Sequence, residues 1–191
     1  MDALLHWHIA AGFVAVAFAL VAFWIYNRNG SKINTGTWSI LAIGDTLDLA
    51  SYAGMTETWW KDMVPMTFAV GSIITFRYAL ARKRFSWPDP FDWFIVGSDV
   101  LIIAIWVLFT SATEANLLHQ ATTLIAFVPM YRGLISGREK ENQLPWLLWS
   151  LSFTFFLLSI VLHTEKWEEV VYPVVGLWTH FIIYILARRK A

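Results

Sequence analysis

Cysteine and charge are the two things this sequence has least of. None of the 191 residues is a cysteine, so disulfides, thiolate metal sites and a cysteine nucleophile are excluded. Charged residues make up 15% of the chain, whereas a soluble domain carries about 25%. The 14 basic and 14 acidic residues cancel, so no overall basic field favours nucleic acid as a partner.

Hydrophobic residues are correspondingly frequent and make up 58% of the chain. They form seven blocks of about 20 residues, the length that a helix needs to cross about 30 Å of hydrocarbon. The sequence therefore predicts an all-α membrane protein with seven transmembrane helices and the bilayer as a partner. We expect the first block to be retained as a helix and not cleaved as a signal peptide. The predicted spans are 7–26, 36–54, 61–81, 91–110, 115–135, 144–162 and 168–187.

The distribution of lysine and arginine predicts the orientation, because cytoplasmic loops are richer in both. One side of the predicted topology carries twelve of these residues, and the other side has only Lys61 and Lys166. The basic side is therefore expected to be cytoplasmic, which puts the N-terminus outside and the C-terminus in the cytoplasm. The twelve are Arg28, Lys32, Arg77, Arg82, Lys83, Arg84, Arg132, Arg138, Lys140, Arg188, Arg189 and Lys190.

An internal repeat is the strongest pattern within the hydrophobic blocks. The pattern T-E-x-W-x5-P occurs at 56–65, ending at Pro65, and at 164–173, ending at Pro173, which is an offset of 108 residues. This register predicts a duplication. The same offset superposes Trp38 on Trp146, Thr46 on Thr154, Leu49 on Leu157, Ser51 on Ser159, Ile74 on Ile182 and Ala79 on Ala187.

The repeat predicts three parts of the chain. A three-helix bundle at 1–83 is followed by a linker helix at 84–114 and a second three-helix bundle at 115–191. Because three is odd, the linker helix is needed to return the second copy to the orientation of the first. The bundles are then parallel repeats about an axis along the membrane normal, in a 3+1+3 arrangement.

Two motifs between Ile125 and Leu158 carry a family resemblance. They are Val128-Pro129-Met130-Tyr131-Arg132 and, after a short basic loop, Pro145-Trp146-Leu147-Leu148-Trp149. The segment resembles the PQ-loop superfamily of SWEET-like and cystinosin-like carriers, and most closely their bacterial membrane relatives. Met130 stands where the family motif has glutamine. The resemblance implies a small-solute transporter of the cell inner membrane that works by alternating access, with Pro65, Pro129 and Pro173 in structural positions.

Two carboxylates are expected at membrane depth in the second helix. Asp45 and Asp48 lie three residues apart and so share a face, and their repeat counterparts are Phe153 and Phe156. Because a charge near the midplane costs at least about 2.5 kcal/mol, we expect both to face the interior between the bundles. They serve either as a proton-binding pair of a coupled carrier or as a protonated structural pair.

Further polar residues are expected inside the membrane. Ser72 and His180 are repeat counterparts, and the resemblance implies that they contribute to a substrate site. The other interpretation of His180 is a hydrogen-bonded interhelical histidine. Asn116, Gln120 and Thr123 form a stripe on the fifth helix that either binds solute or joins helices.

Asp99 in the fourth helix and Arg77 in the third lie at similar predicted depth. We expect them to form a structural ion pair.

Two other classes of function stay open. Four histidines are predicted near the outer side, and histidines on different helices can ligate haem or a metal. A non-transporting scaffold or accessory subunit is the second alternative. No catalytic motif is present, so an enzyme is not predicted, and neither a cofactor nor a metal is assigned. The expected partner is a small polar solute of unknown class, and homo-oligomerisation is left open. The four histidines are His6, His8, His119 and His163.

Overall fold

The computed structural model describes residues 2–28, 35–56, 58–82, 90–109, 111–137, 140–164 and 166–188, and all regular structure in these ranges is helical. There are seven helical segments, of which the fifth is divided into two helices. In chain order the helices are α1 (Asp2–Arg28), α2 (Thr35–Thr56), α3 (Met63–Ala81), α4 (Pro90–Phe109), α5 (Ala112–Ala126), α6 (Val128–Ser136), α7 (Gln143–Val161) and α8 (Val171–Arg188), the last preceded by a 3-10 turn at Trp167–Val170.

Within the described ranges, four helices are long and apolar enough to cross a membrane. They are Trp7–Arg28, Met63–Ala81, Gln143–Val161 and Trp167–Arg188, with mean hydropathy between 1.3 and 2.3. The apolar stretch of α4, Trp93–Leu108, is shorter. The prediction of an all-helical chain with seven helical segments is thus confirmed, and four of the seven predicted spans are matched by helices suited to cross a membrane. Helices α2, α4 and α5, which are outside this group of four, carry the buried Asp48, Asp99 and His119.

The fifth predicted span, 115–135, is wrong in one respect, because it is not a continuous helix. Helix α5 ends at Ala126, and α6 begins after Phe127 with Pro129 in its first turn. A proline there lacks the N–H that a continuous helix would need, so the chain starts a new helix. Helix α6 ends at Gly137, whose φ of 76° is the left-handed conformation that glycine adopts readily.

Each helix packs against at least two others. Helix α1 lies along α7 and α3, and α5 lies along α2 and α4, while α2 packs on α3 and α7 packs on α8. Helix α6 contacts α8. Pro65 and Pro173 both fall in the first turn of a helix, where no intrahelical N–H bond is lost. The core between these helices is rich in aromatic rings, including Tyr26, whose ring centroid lies 5.1 Å from that of Trp38.

Candidate functional site

A cavity lies at the centre of the helices, with lining residues from α1, α2, α3, α4, α5, α7 and α8. It offers about 50 Å³ to the centres of water-sized molecules. Since one water needs about 10–15 Å³ on this measure, the space suits about four small atoms or waters. The ionisable side chains in its wall are Asp45, Asp48, Asp99, His119, Tyr172 and His180, and its aromatic wall is Phe23, Trp38, Phe68, Phe127, Trp146, Trp149 and Phe153.

His119 joins two of the carboxylates across three helices. Its Nδ1 lies 3.0 Å from Asp99 Oδ1 on α4, and its Nε2 lies 3.5 Å from Asp48 Oδ2 on α2. Gln120 donates from Nε2 to the other oxygen of Asp48 at 2.5 Å, and Thr122 donates to Asp99 Oδ1 at 3.3 Å. All three members of the chain are buried, with at most 5% of each side chain exposed. The arrangement is a carboxylate–imidazole–carboxylate chain through the interior.

Asp45 lies one turn before Asp48 on the same helix and also lines the cavity, half-buried. Its carboxylate lies near the Ser72 hydroxyl on α3. Ser72 is fully buried and also donates to the Ala69 carbonyl oxygen at 3.1 Å. Sequence reasoning placed Asp45, Asp48 and Ser72 among the site residues, and the structure brings all three to this region.

His180 lies in the aromatic part of the cavity wall. Its ring centroid is 5.2 Å from that of Phe153 and 5.5 Å from that of Trp146. Its Nδ1 lies 2.7 Å from the Gly176 carbonyl oxygen, and this atom therefore donates to its own helix. His180 is thus bonded within its own helix, not to another one, while its ring still reaches the cavity.

The polar stripe of α5 divides in two. Gln120 and Thr123 line the cavity. Asn116 lies one turn before Gln120, and its Nδ2 donates to Ser51 Oγ at 3.1 Å. Asn116 therefore joins α5 to α2 and is not part of the cavity wall.

Two buried polar atoms of lining residues have no hydrogen-bond partner. One is Oδ2 of Asp99, an acceptor on a fully buried side chain. The other is Nε1 of Trp149, a donor on a side chain that is 1% exposed. Buried polar groups are nearly always satisfied, so both atoms mark places where something else can bind.

The predicted ion pair between Asp99 and Arg77 is wrong. Asp99 is fully buried and faces His119, while Arg77 is exposed. Similar depth along two helices does not make two side chains face each other. Sequence reasoning also missed the central position of His119, although it stands within the polar stripe of α5, three residues after Asn116 and next to Gln120.

The side chain of His6 lies outside the described part of the structure, and the other three histidines predicted near the outer side do not meet at one point. The rings of His8 and His163 stack at 5.0 Å, beside Trp60, whereas His119 belongs to the separate chain with Asp48. Within the described ranges, no group of three or more potential ligands could hold a metal ion. Stacked rings turn their faces to each other and not their nitrogens, so this pair does not resemble a ligating arrangement.

A buried ion pair at the other end of α2 was also missed. Lys61 Nζ lies 2.8 and 2.9 Å from the two carboxylate oxygens of Glu169, and each side chain is 1% exposed. Tyr52 donates to the Glu169 carbonyl oxygen at 2.9 Å. Lys61 and Glu169 are 108 residues apart, which is the offset of the predicted repeat, so the pattern itself was the signal.

Comparison with known proteins found no match. No family model, no curated protein and no solved structure matches the chain.

Proposed function

We propose that this chain is a small-solute transporter of the PQ-loop, SWEET-like type, coupled to protons and working by alternating access. The two moving parts are the three-helix bundles 1–83 and 115–191, joined by the linker helix of 84–114. The observation that carries the proposal is the chain Asp48–His119–Asp99 in the wall of a central cavity. The cell inner membrane and the cytoplasmic C-terminus belong to the same proposal.

The chemistry of the Asp48–His119–Asp99 side chains explains how protons would be coupled to movement. A carboxylate only accepts hydrogen bonds, whereas a doubly protonated imidazole donates from both nitrogens. Adding a proton to Asp48 or Asp99, or removing one from His119, therefore weakens one contact. Those contacts tie α5 of the second bundle to α2 of the first and to α4 of the linker. Protonation thus acts directly on the surface where the two bundles meet.

Reciprocal contacts between the bundles support the proposed repeat. Ser159 on α7 donates to the His8 carbonyl oxygen on α1 at 2.6 Å. Subtracting and adding the offset of 108 turns this pair into Ser51 on α2 and Asn116 on α5, which are hydrogen-bonded at 3.1 Å. A pair of residues and its exchanged counterpart meet in this way when two units are related by a two-fold axis.

Equivalent contacts also recur within each bundle. Asp45 lies within reach of Ser72, and their counterparts Phe153 and His180 lie 5.2 Å apart between ring centroids. The positions therefore keep their neighbours although the chemistry has changed.

The ion pair of Lys61 and Glu169 provides the remaining support for the repeat. A residue can touch its own counterpart only close to the axis that relates the two units. We therefore place the proposed axis through this ion pair.

Charge supports the proposed orientation. Arg28, Arg82 and Arg188 stand at the C-terminal ends of α1, α3 and α8. In the proposed up-and-down arrangement these ends share one side of the membrane, together with most other basic residues of the sequence. Lys61 and Lys166 stand on the opposite side. The basic side is the cytoplasmic side.

Flux measurements test the proposal. The purified protein is placed in liposomes that contain a pH-sensitive dye, and gradients of sugars, amino acids and amines are imposed in turn. We expect one solute class to drive proton movement. Asp48→Asn should abolish that movement because an amide does not titrate, whereas Glu114→Gln, at an exposed position outside the cavity, should not. Proton movement that no solute stimulates, or that persists in Asp48→Asn, would contradict the proposal.

A non-transporting scaffold is the second candidate, and one observation favours it. Asp48 and Asp99 are both capped by side chains of α5, an arrangement that also fastens helices together without moving solute. The same liposome experiment separates the two, since a scaffold gives no solute-driven flux in any arm.

A further inference from the structure

The central cavity is short of positive charge. Three carboxylates line it, and none of its described lining residues is a lysine or arginine. The imidazole of His119 bridges Asp48 and Asp99, so one cationic group at most serves both. Asp45 lies beside the Ser72 hydroxyl and is also influenced by Asp48 and by His119, the one imidazole that it shares with the other two carboxylates. A bound cation beside Asp45 would complete the balance of charge.

Hydrogen bonding points in the same direction. Oδ2 of Asp99 is fully buried and has no donor, and the other carboxylate oxygens of the cavity can also only accept. A ligand for this cavity must therefore bring donors. Nε1 of Trp149 is a buried donor without a partner, so the ligand can in addition carry one acceptor.

The aromatic wall favours a cation among the possible donors. Phe23 and Trp149 pack at 5.0 Å between ring centroids, and Phe68 and Phe153 pack at 4.6 Å. All four line the cavity with Asp45. The faces of such rings carry negative electrostatic potential and attract ammonium groups. A sugar would gain less from these faces because it carries no positive charge.

We propose that the central cavity binds a small organic ammonium ion, with the charged nitrogen at Asp45 and the carbon atoms against the aromatic wall. This inference rests on the proposed function only for its role, because it names the class of solute that the transporter would carry. Binding itself is a property of the cavity and is measured without transport.

Calorimetry on the detergent-purified protein tests the inference, with ethylammonium as the probe. A ligand of three heavy atoms binds with a Kd of about 1 mM at best, so titrations extend to tens of millimolar. Ethanol is the neutral ligand of matched size, and sodium is the cation without an apolar part. We expect ethylammonium to bind at least ~10-fold more tightly than either, as the charge and the aromatic contact both require.

Two variants locate the binding. Asp45→Asn should weaken ethylammonium at least ~10-fold, because the amide keeps the shape but loses the charge. Glu114→Gln, which removes an exposed carboxylate outside the cavity, should leave the Kd within about 2-fold. If Asp45→Asn does not yield folded protein, the three-ligand comparison on the unaltered chain decides the matter, since it needs no substitution.

Three outcomes would overturn the inference: no binding of ethylammonium, equal binding of ethanol or sodium, or unchanged binding in Asp45→Asn. Failure of the proposed function looks different. In that case ethylammonium binds as expected, yet neither it nor any other solute drives flux in liposomes. Flux with another solute, together with no ethylammonium binding, would retain the transporter and remove only the solute class.

Discussion

Helices α2 and α7 are counterparts in the proposed repeat, and they differ most where they face the cavity. Helix α7 has Phe153, in the cavity wall, and Phe156 behind it in the core, whereas α2 has the cavity residues Asp45 and Asp48 at the same positions. Both helices keep the serine that contacts the first helix of the other bundle. If the repeat is as proposed, the two copies share their packing, and α2 has carboxylates where α7 has aromatic rings.

A second difference between α2 and α7 lies one helical turn before Asp48, and it explains how the His119 ring fits against α2. Ser152 of α7 donates to the Ala15 carbonyl oxygen of α1 at 2.7 Å, and its counterpart on α2 is Gly44. A Cβ at Gly44 would lie 3.1 Å from Cε1 of His119. The missing side chain on α2 is therefore what allows the imidazole to approach between Asp48 and Asp99.

The largest effect is expected at Lys61 and Glu169, the two counterparts of the proposed repeat that contact each other. Glu169→Gln leaves a buried ammonium without its carboxylate, so we expect a loss of about 3–5 kcal/mol in the free energy of unfolding. Unfolding in mixed micelles by added SDS measures it. The double variant Lys61→Met/Glu169→Gln should recover much of the loss, and Lys166→Met, at an exposed lysine on the same side, should cost about 0.5 kcal/mol or less. Equal costs for Glu169→Gln and Lys166→Met would contradict the buried pair.

Giving α2 an apolar residue like those of α7 is the next test. Asp48→Leu leaves the Nε2 donor of Gln120 buried without an acceptor, which should lower the free energy of unfolding by about 1–3 kcal/mol. Asp48→Asn keeps an acceptor for Gln120 and should cost less. The same SDS titration compares the two variants. A leucine variant as stable as the asparagine variant would mean that the hydrogen bond to Gln120 contributes little.

Filling the gap on α2 sharpens the second difference. Gly44→Ala pushes His119 away from α2, and the cost of overpacking is offset by the better helix propensity of alanine, so we expect a net loss of about 1 kcal/mol. Gly97→Ala is the matched control, because a Cβ there has nothing within 4 Å. Solute-driven proton flux should fall in Gly44→Ala and stay unchanged in Gly97→Ala. Flux lost equally in both variants would show that the gap is not specific.

The smallest effect is expected on the α7 side of the comparison. Ser152→Ala removes one hydrogen bond between α7 and α1, and such bonds within membranes average about 0.6 kcal/mol. Ser98→Ala is the control, because its hydroxyl donates only within α4, to the Phe94 carbonyl oxygen at 2.9 Å. A stability difference between these two variants in the SDS titration measures the bond across the helices. No difference would place the α1–α7 stabilisation in apolar packing alone.

The helices were predictable because crossing hydrocarbon demands apolar blocks of a fixed length. The break at Phe127 was not, since Pro129 stands inside such a block and proline does not always end a helix in a membrane. The pair Asp45 and Asp48 was predictable as an interior face because carboxylates in an apolar block are conspicuous.

The partners of those residues were harder to predict. Whether His119 turns inward depends on the rotation of α5 against α2, and a single sequence does not give that angle. Depth alone paired Asp99 with Arg77, and depth says nothing about azimuth. Lys61 entered the prediction only through the count of basic residues on each side, although its offset of 108 from Glu169 makes the two residues repeat counterparts.

The pair of Lys61 and Glu169 bears on how such a molecule arises. In a symmetric homodimer, a residue on the two-fold axis meets its own copy, so only like charges are available there, and like charges repel. In the proposed repeat the two halves have different sequences, so the two positions at the axis can carry opposite charges. The proposed axis would thus run through a contact that a dimer of identical halves could not form.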